Sequence, residues 1–107
     1  MARTNRYSLL RDKSMLKLLV AMYETGKKRL SELGKEIDSM SGAYRAASRL
    51  AILGLVRLYH CESRDGERLV KCAELTPAGE KVAKKIKEVL ETLEETLVER
   101  GQDNHKH

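Results

Sequence analysis

The segment from Ser41 to Gly79 constrains the fold more than any other part of the chain. Residues Ser41-Gly42-Ala43-Tyr44-Arg45-Ala46-Ala47-Ser48-Arg49-Leu50-Ala51-Ile52-Leu53 have helical periodicity and are stopped by Gly54. Two β-prone runs follow, Leu55 to Glu62 and Glu67 to Leu75, joined by Ser63-Arg64-Asp65-Gly66. Asp-Gly favours the positive φ angles that a tight hairpin needs. Thr76-Pro77 then opens a long helix, with Thr76 as N-cap, Pro77 in the first helical position and Glu80 near the positive end of the dipole. A helix, a charged hairpin and a further helix in that order predict a mainly α fold with a small β-hairpin.

The helix before the hairpin has two unlike faces. Ala43, Ala47 and Leu50 recur at i, i+4 and i+7, with Leu53 extending the row, while Tyr44, Arg45, Ser48 and Arg49 occupy the other side. Small inner residues let such a helix pack close to its neighbours, and the outer face offers hydrogen-bond donors. Upstream, Leu16, Leu19, Val20 and Tyr23 repeat at i, i+3, i+4 and i+7, and Leu9 carries the stripe back toward Ser8. Gly26 ends that helix. After the basic connector Lys27-Lys28-Arg29, a short helix covers Ser31 to Ile37, with Leu33 and Ile37 inward. Gly34 in its middle costs up to ~1 kcal/mol against Ala, a cost accepted where the next helix crosses closely. Asp38 to Gly42 makes the turn, with Ser39 or Ser41 as the next N-cap.

Charge divides along the chain. Of 107 residues, 21 are Lys or Arg and 16 are Asp or Glu, a net charge of +5. Residues 1–75 hold 15 of the basic residues against 9 acidic ones, and residues 76–107 hold 6 against 7. The excess positive charge thus lies with the helix and hairpin, which favours a polyanionic partner there. The sequence offers no apolar run long enough to span a membrane and no signal-peptide pattern at Met1-Ala2-Arg3-Thr4-Asn5-Arg6. A cytoplasmic, nucleoid-associated protein is expected. Few Asn and Gln among many Lys and Glu lean toward a thermophile, and with the resemblance below toward an archaeal source.

The last helix, read as Pro77 to Glu99, is too long for a domain of this size to cover. Val82, Ile86, Val89, Leu90, Leu93 and Leu97 form a short seam suited to a second helix. Lys81, Lys84, Lys85 and Lys87 fill its first half, and Glu91, Glu94, Glu95 and Glu99 its second. That order opposes the macrodipole. An antiparallel second copy would set each lysine half against a glutamate half, so a homodimer is the expectation. A solvated helix folded back on its own domain, with pairs such as Lys84/Glu88 and Lys87/Glu91, is the plainer alternative.

Cys61 and Cys72 fall on opposite arms of the hairpin. A two-residue Asp65-Gly66 turn pairs Cys61 with Val70 and Tyr59 with Cys72, leaving the sulfurs one register apart. A bulge or longer loop could bring them opposite each other. A structural disulfide, a redox switch and two buried small side chains all remain open, whereas zinc would need a second ligand pair. No metal, cofactor or catalytic residue is expected. His60 is the only histidine outside the terminal segment that holds His105 and His107, and no phosphate loop or Ser/His/Asp set occurs.

Leu33-Gly34, Tyr44-Arg45-Ala46-Ala47-Ser48-Arg49-Leu50, Leu53-Gly54-Leu55-Val56 and Leu75-Thr76-Pro77-Ala78-Gly79 follow one another in this order. On these motifs, over Ser14 to Glu99, the chain resembles the winged helix-turn-helix regulators of the MarR and PadR type and small dimeric winged-helix proteins of archaea and their viruses. The resemblance implies a third helix in the major groove, a wing along the backbone or minor groove, and a last helix in a dimer interface. Ser41, Gly42, Tyr44, Arg45, Ser48 and Arg49 would then face DNA, Arg64 and Arg68 the wing contacts, and Lys35 a phosphate. Against many MarR-type proteins, the longer N-terminal dimerisation segment is not expected in this chain. The expected organisation is a basic arm at 1–13, a winged helix-turn-helix at 14–75, a dimerisation helix at 76–100 and a disordered tail at 101–107. The expected function is sequence-specific binding of double-stranded DNA by a homodimeric transcriptional regulator. A non-specific architectural protein and a protein-interaction module are the alternatives.

Overall fold

The computed structural model describes residues 7–104, with side chains to Glu99. The outer part of the basic arm and residues 105–107 lie outside the described residues. Five helices and one hairpin run in the order α1 (Ser8–Arg11), α2 (Lys13–Thr25), α3 (Leu30–Glu36), α4 (Met40–Ile52), β1 (Val56–Glu62), β2 (Leu69–Leu75) and α5 (Pro77–Asn104).

Asp12 separates the first two helices. Its backbone is extended, and its carboxylate accepts the Met15 N–H at 3.1 Å, which caps α2. The second half of the expected arm is therefore ordered, and Leu9 packs against the core. Along α2 the buried face comprises Met15, Leu18, Leu19, Ala21 and Met22; of the expected Leu16, Leu19, Val20 and Tyr23 only Leu19 is fully buried, with Tyr23 packed against the edge of the core. The helix lies at the centre of the domain and packs against α3, α4 and α5 together. It is buried around more of its circumference than a one-stripe reading allows.

Gly34 and the turn after it bring α3 and α4 close together. A Cβ on Gly34 would overlap the Met40 sulfur and stand 3.1 Å from the Met40 Cα. Asp38 takes a left-handed φ of 63°, and Ser39 caps α4 by accepting the Gly42 N–H at 3.0 Å. Ala43, Ala46, Ala47 and Leu50 then seal the inner face of α4 against the core.

β1 and β2 pair antiparallel from Val56↔Leu75 to Glu62↔Leu69. Arg29 adds a single bridge to Cys72, making a short third edge. The connection is wider than two residues: Ser63 N–H bonds to the Arg68 carbonyl at 2.8 Å, and in Asp65-Gly66 only Gly66 has positive φ. Register nevertheless sets Tyr59 opposite Cys72 and Cys61 opposite Val70. Cys61 and Cys72 are joined by a disulfide along the diagonal, with Cα atoms 6.0 Å apart. No bulge is needed, because Cα atoms at that separation lie within disulfide reach and the diagonal residue shares a face with the directly opposed one.

Thr76 locks the corner between hairpin and last helix. Its hydroxyl donates to the Gly54 carbonyl at 2.7 Å and accepts the Gly79 N–H at 3.0 Å, while its own N–H bonds to the Leu55 carbonyl. Ala83 is fully buried, and Val82 and Ile86 pack on the core. Beyond Lys87 every residue with a described side chain is exposed. The helix continues to Asn104, through residues 101–104 of the expected tail, and its 28 residues span ~42 Å.

Candidate nucleic-acid interface

α4 presents an exposed row of Ser41, Tyr44, Arg45, Ser48 and Arg49 opposite its buried alanines. Arg45 makes no ion pair among the described residues, so its five donors are available. Arg49 is engaged differently. Its guanidinium meets the Asp12 carboxylate at 2.7 Å and ties the outer face of α4 to the start of α2. Burial pushes the Asp12 carboxyl up, but the Met15 N–H and Arg49 outweigh it and hold it below the usual carboxylate range. Periodicity could not reveal this pairing, because the partner lies 37 residues away.

Gly42 is not on the exposed face. It is buried, and a Cβ there would stand 3.1 Å from the Ser39 Cβ and 3.3 Å from the Ser14 hydroxyl. The structure places it not among the exposed donors but in the packing of the first turn of α4 against the Ser39 cap and Ser14 of α2. Tyr44 and Ser48 border a crevice of about 260 Å³ between α4 and the hairpin, with Leu58, His60 and Lys71 on its far side. The Lys71 ammonium stands 5.9 Å from the centre of the Tyr44 ring. Lys71 carries positive charge from β2 to the edge of α4, a contribution not anticipated from the sequence. The signal was present in the period-two pattern, which puts Lys71 opposite His60.

A second basic region lies where the hairpin loop approaches α3. Lys27, Arg29, Lys35, Arg64 and Arg68 border an open cleft of about 670 Å³. Glu32 stands among them, 3.6 Å from Arg29 and 3.3 Å from Arg64. Arg29 also donates to the Glu62 carbonyl at 2.9 Å, fixing the end of β1 to the start of α3. Lys27 pairs with Glu36. Lys35 and Arg68 have no ion pair among the described residues. Asp65 accepts from Ser63 and from the Glu67 N–H; these bonds, with Arg68 nearby, hold its carboxyl low.

The expected dimer seam is divided by its contacts. Val82 and Ile86 face the chain's own core, while Val89, Leu90, Leu93 and Leu97 are exposed, joined by Val98. Leu93 is 50% and Leu97 56% exposed, which is high for apolar side chains placed in a regular row. Lys85 meets Glu88 and Lys87 meets Glu91, each at 3.7 Å. Lys81, Lys84, Glu94, Glu95 and Glu99 have no ion pair among the described residues. Nor do those residues hold a metal-binding cluster of three or more His, Cys, Asp or Glu side chains, or a helix long and apolar enough to cross a membrane.

No family model and no curated protein matches the chain. Solved structures do. A mutant of ZitR from Lactococcus lactis superposes with a TM-score of 0.74 at 17% identity, covering 96% of this chain and 67% of that one. The fold is the winged helix of MarR-type regulators. A transcriptional regulator homologue from Pyrococcus horikoshii matches with a TM-score of 0.66 at 20% identity, over 86% of this chain and 90% of its own. A MarR family regulator from Neisseria meningitidis gives 0.65 at 15% identity, over 86% of this chain and 63% of its own. In winged-helix terms the β1–β2 hairpin is the wing and α4 is the helix that precedes it.

Proposed function

We propose that the protein binds double-stranded DNA as a homodimeric transcriptional regulator, with α4 in the major groove and the wing on the backbone or minor groove. The observation that carries this is the exposed Tyr44-Arg45-Ser48 face of α4, backed by buried alanines and flanked by the basic wing cleft. Arg45 is the base reader, because an unpaired guanidinium can bond guanine O6 and N7 together. Arg49 is a positioning residue, its charge shared with Asp12. Lys35, Arg68 and Lys71 supply phosphate contacts whose strength falls with salt.

The partner proposed for α5 is a second copy packed antiparallel. Its exposed Val89, Leu90, Leu93 and Leu97 need cover. The unpaired lysines of the first half and unpaired glutamates of the second would meet in that arrangement. The two-fold axis would pass near Val89, setting the partner's Leu93 and Leu97 beside the half-covered Ile86 and Val82 of the first copy. Two recognition helices related by that axis predict a pseudo-palindromic site with half-sites about 34 Å apart.

The experiment is a titration of the protein against the DNA flanking its own coding region and against random duplex of equal length, across a salt series. Preference of about a hundredfold, retained as salt rises, supports a site-specific regulator, since specific complexes exceed non-specific ones by roughly 10³ or more. Equal affinities with a steep salt slope would make the protein an architectural one. Binding to neither would refute the DNA reading and favour a protein-interaction module.

A further inference from the structure

One cation of the wing loop is turned toward α3. Arg64 is 83% exposed on its side chain, yet its guanidinium contacts Glu32 through both Nε and Nη2 at 3.3 Å. Glu32 lies on α3, is only 18% exposed on its side chain, and is flanked on its other side by Arg29. Arg29 in turn holds the Glu62 carbonyl at the loop end of β1. One carboxylate thus sits between two guanidiniums inside a cleft bordered also by Lys27, which pairs with Glu36, and by the exposed Lys35 and Arg68. Lys35 and Arg68 border the same cleft and pair with no acid among the described residues.

We propose that Glu32 is a built-in competitor for the DNA backbone: it neutralises Arg64 in the free protein, so the wing meets duplex with one fewer available cation. A phosphate and a carboxylate compete for the same planar guanidinium fork. Phosphate at the wing must displace Glu32, share Arg64 with it through the Nη1 that the carboxylate leaves free, or leave Arg64 uninvolved. The first two courses set a negative carboxylate beside the backbone, and the third forgoes a contact. In each case Glu32 lowers sequence-independent affinity at the wing and leaves the exposed face of α4 untouched, which raises the share of binding that depends on base readout. This inference rests on the DNA reading and concerns how strongly the wing contributes to it.

The test is the salt dependence of binding to a random-sequence duplex for the wild type, Glu32→Gln, Arg64→Ala and the double variant. Each cation that neutralises a phosphate adds about 0.9 to the slope of log affinity against log salt. Glu32→Gln is expected to steepen the slope by about that amount and to tighten binding at low salt. Its affinity would then fall roughly threefold more than that of the wild type between 50 and 200 mM salt. Adding Arg64→Ala should return the slope to the wild-type value. Weaker binding by Glu32→Gln, or an unchanged slope, would overturn the proposal and make Glu32 an orienting residue for the wing. A comparison in the wild-type background does not depend on how well Glu32→Gln folds. Arg64→Ala should leave the slope nearly unchanged while Arg68→Ala lowers it by about 0.9, and equal losses would refute the idea. Failure of the wild type to bind any duplex would instead remove the DNA reading, and this inference with it.

Discussion

Gly79→Ala puts the joint between the wing and α5 to the test. Gly79 is buried in the first turn of α5, facing the backbone that leaves α4. A Cβ built there overlaps the Leu55 carbonyl oxygen and stands 2.9 Å from its carbon, closer than real Cβ atoms approach other heavy atoms. The obstruction is backbone, so no side chain can swing aside. Moving it strains the Thr76 N–H bond to the same oxygen, 3.0 Å long in the native corner. Overpacking of this kind costs about 1–3 kcal/mol, and the weakened hydrogen bond adds about 1 kcal/mol. Replacing Gly by Ala in a helix returns at most about 1 kcal/mol. The expected net loss is about 2 kcal/mol. For a chain this short, that lowers Tm by roughly 8–16 °C. Urea denaturation followed by circular dichroism, with unchanged m-value, measures it directly. Gly34→Ala is the internal control. Its overlap is with the flexible end of the Met40 side chain, its backbone contact is 3.1 Å, and Met40 is exposed, so the cost should be under about 1 kcal/mol, offset by helix propensity. Should Gly79→Ala match or exceed the wild type in stability, the close approach of α5 to Leu55 would be wrong, and with it the direction in which α5 leaves the domain.

Arg45→Ala is expected to reduce preference for the cognate site by about 1–3 kcal/mol without changing stability, whereas Arg49→Ala should act on folding as well, because it uncouples α4 from Asp12; competition binding beside thermal melts separates the two, and identical effects would contradict the split. Leu93→Glu with Leu97→Glu should give a monomer by light scattering and lose affinity for a palindromic duplex; an unchanged dimer would place the interface elsewhere. Reduction of the Cys61–Cys72 disulfide opens a loop with a sequence separation of 11 and should cost about 3 kcal/mol, read as a lower urea midpoint in dithiothreitol; Cys61→Ala with Cys72→Ala should be insensitive to the reductant, and equal midpoints for the wild type with and without it would deny the bond a stabilising role.

Local signals were strong where a single element carries its own explanation. Thr76-Pro77 announced the start of α5, and Ser39 was one of two candidate caps for α4. The alternation of small apolar and polar residues from Ala43 to Leu50 separated a packing face from a donor face. Gly34 was legible too, because a helix tolerates glycine at a cost and the geometry of a tight helix crossing repays it. The candidate site was legible as a set of donors but not as a set of roles. Gly42 reads as an exposed turn residue until Ser14 of α2 is brought beside it. Arg49 reads as a second base reader until Asp12 arrives from 37 positions upstream. Glu32 carried only the local signal of an i,i+3 pair with Arg29, since its second partner, Arg64, lies 32 residues away on the wing.

The sequence by itself determined the order of elements from α2 onward, the cap of α5 and the two candidates for that of α4, the hairpin register and the segregation of charge, because each depends on residues within a few positions of one another or on simple alternation; the break at Asp12 that divides α1 from α2 was not read. Tertiary structure decided which stripe of α2 is buried, which half of the α5 seam is already spent on the domain's own core, and which cations are free. It also joined two cysteines that strict pairing places out of register. These outcomes depend on what lies opposite in space, and a hydrophobic stripe or an arginine has the same local signature whichever partner it meets.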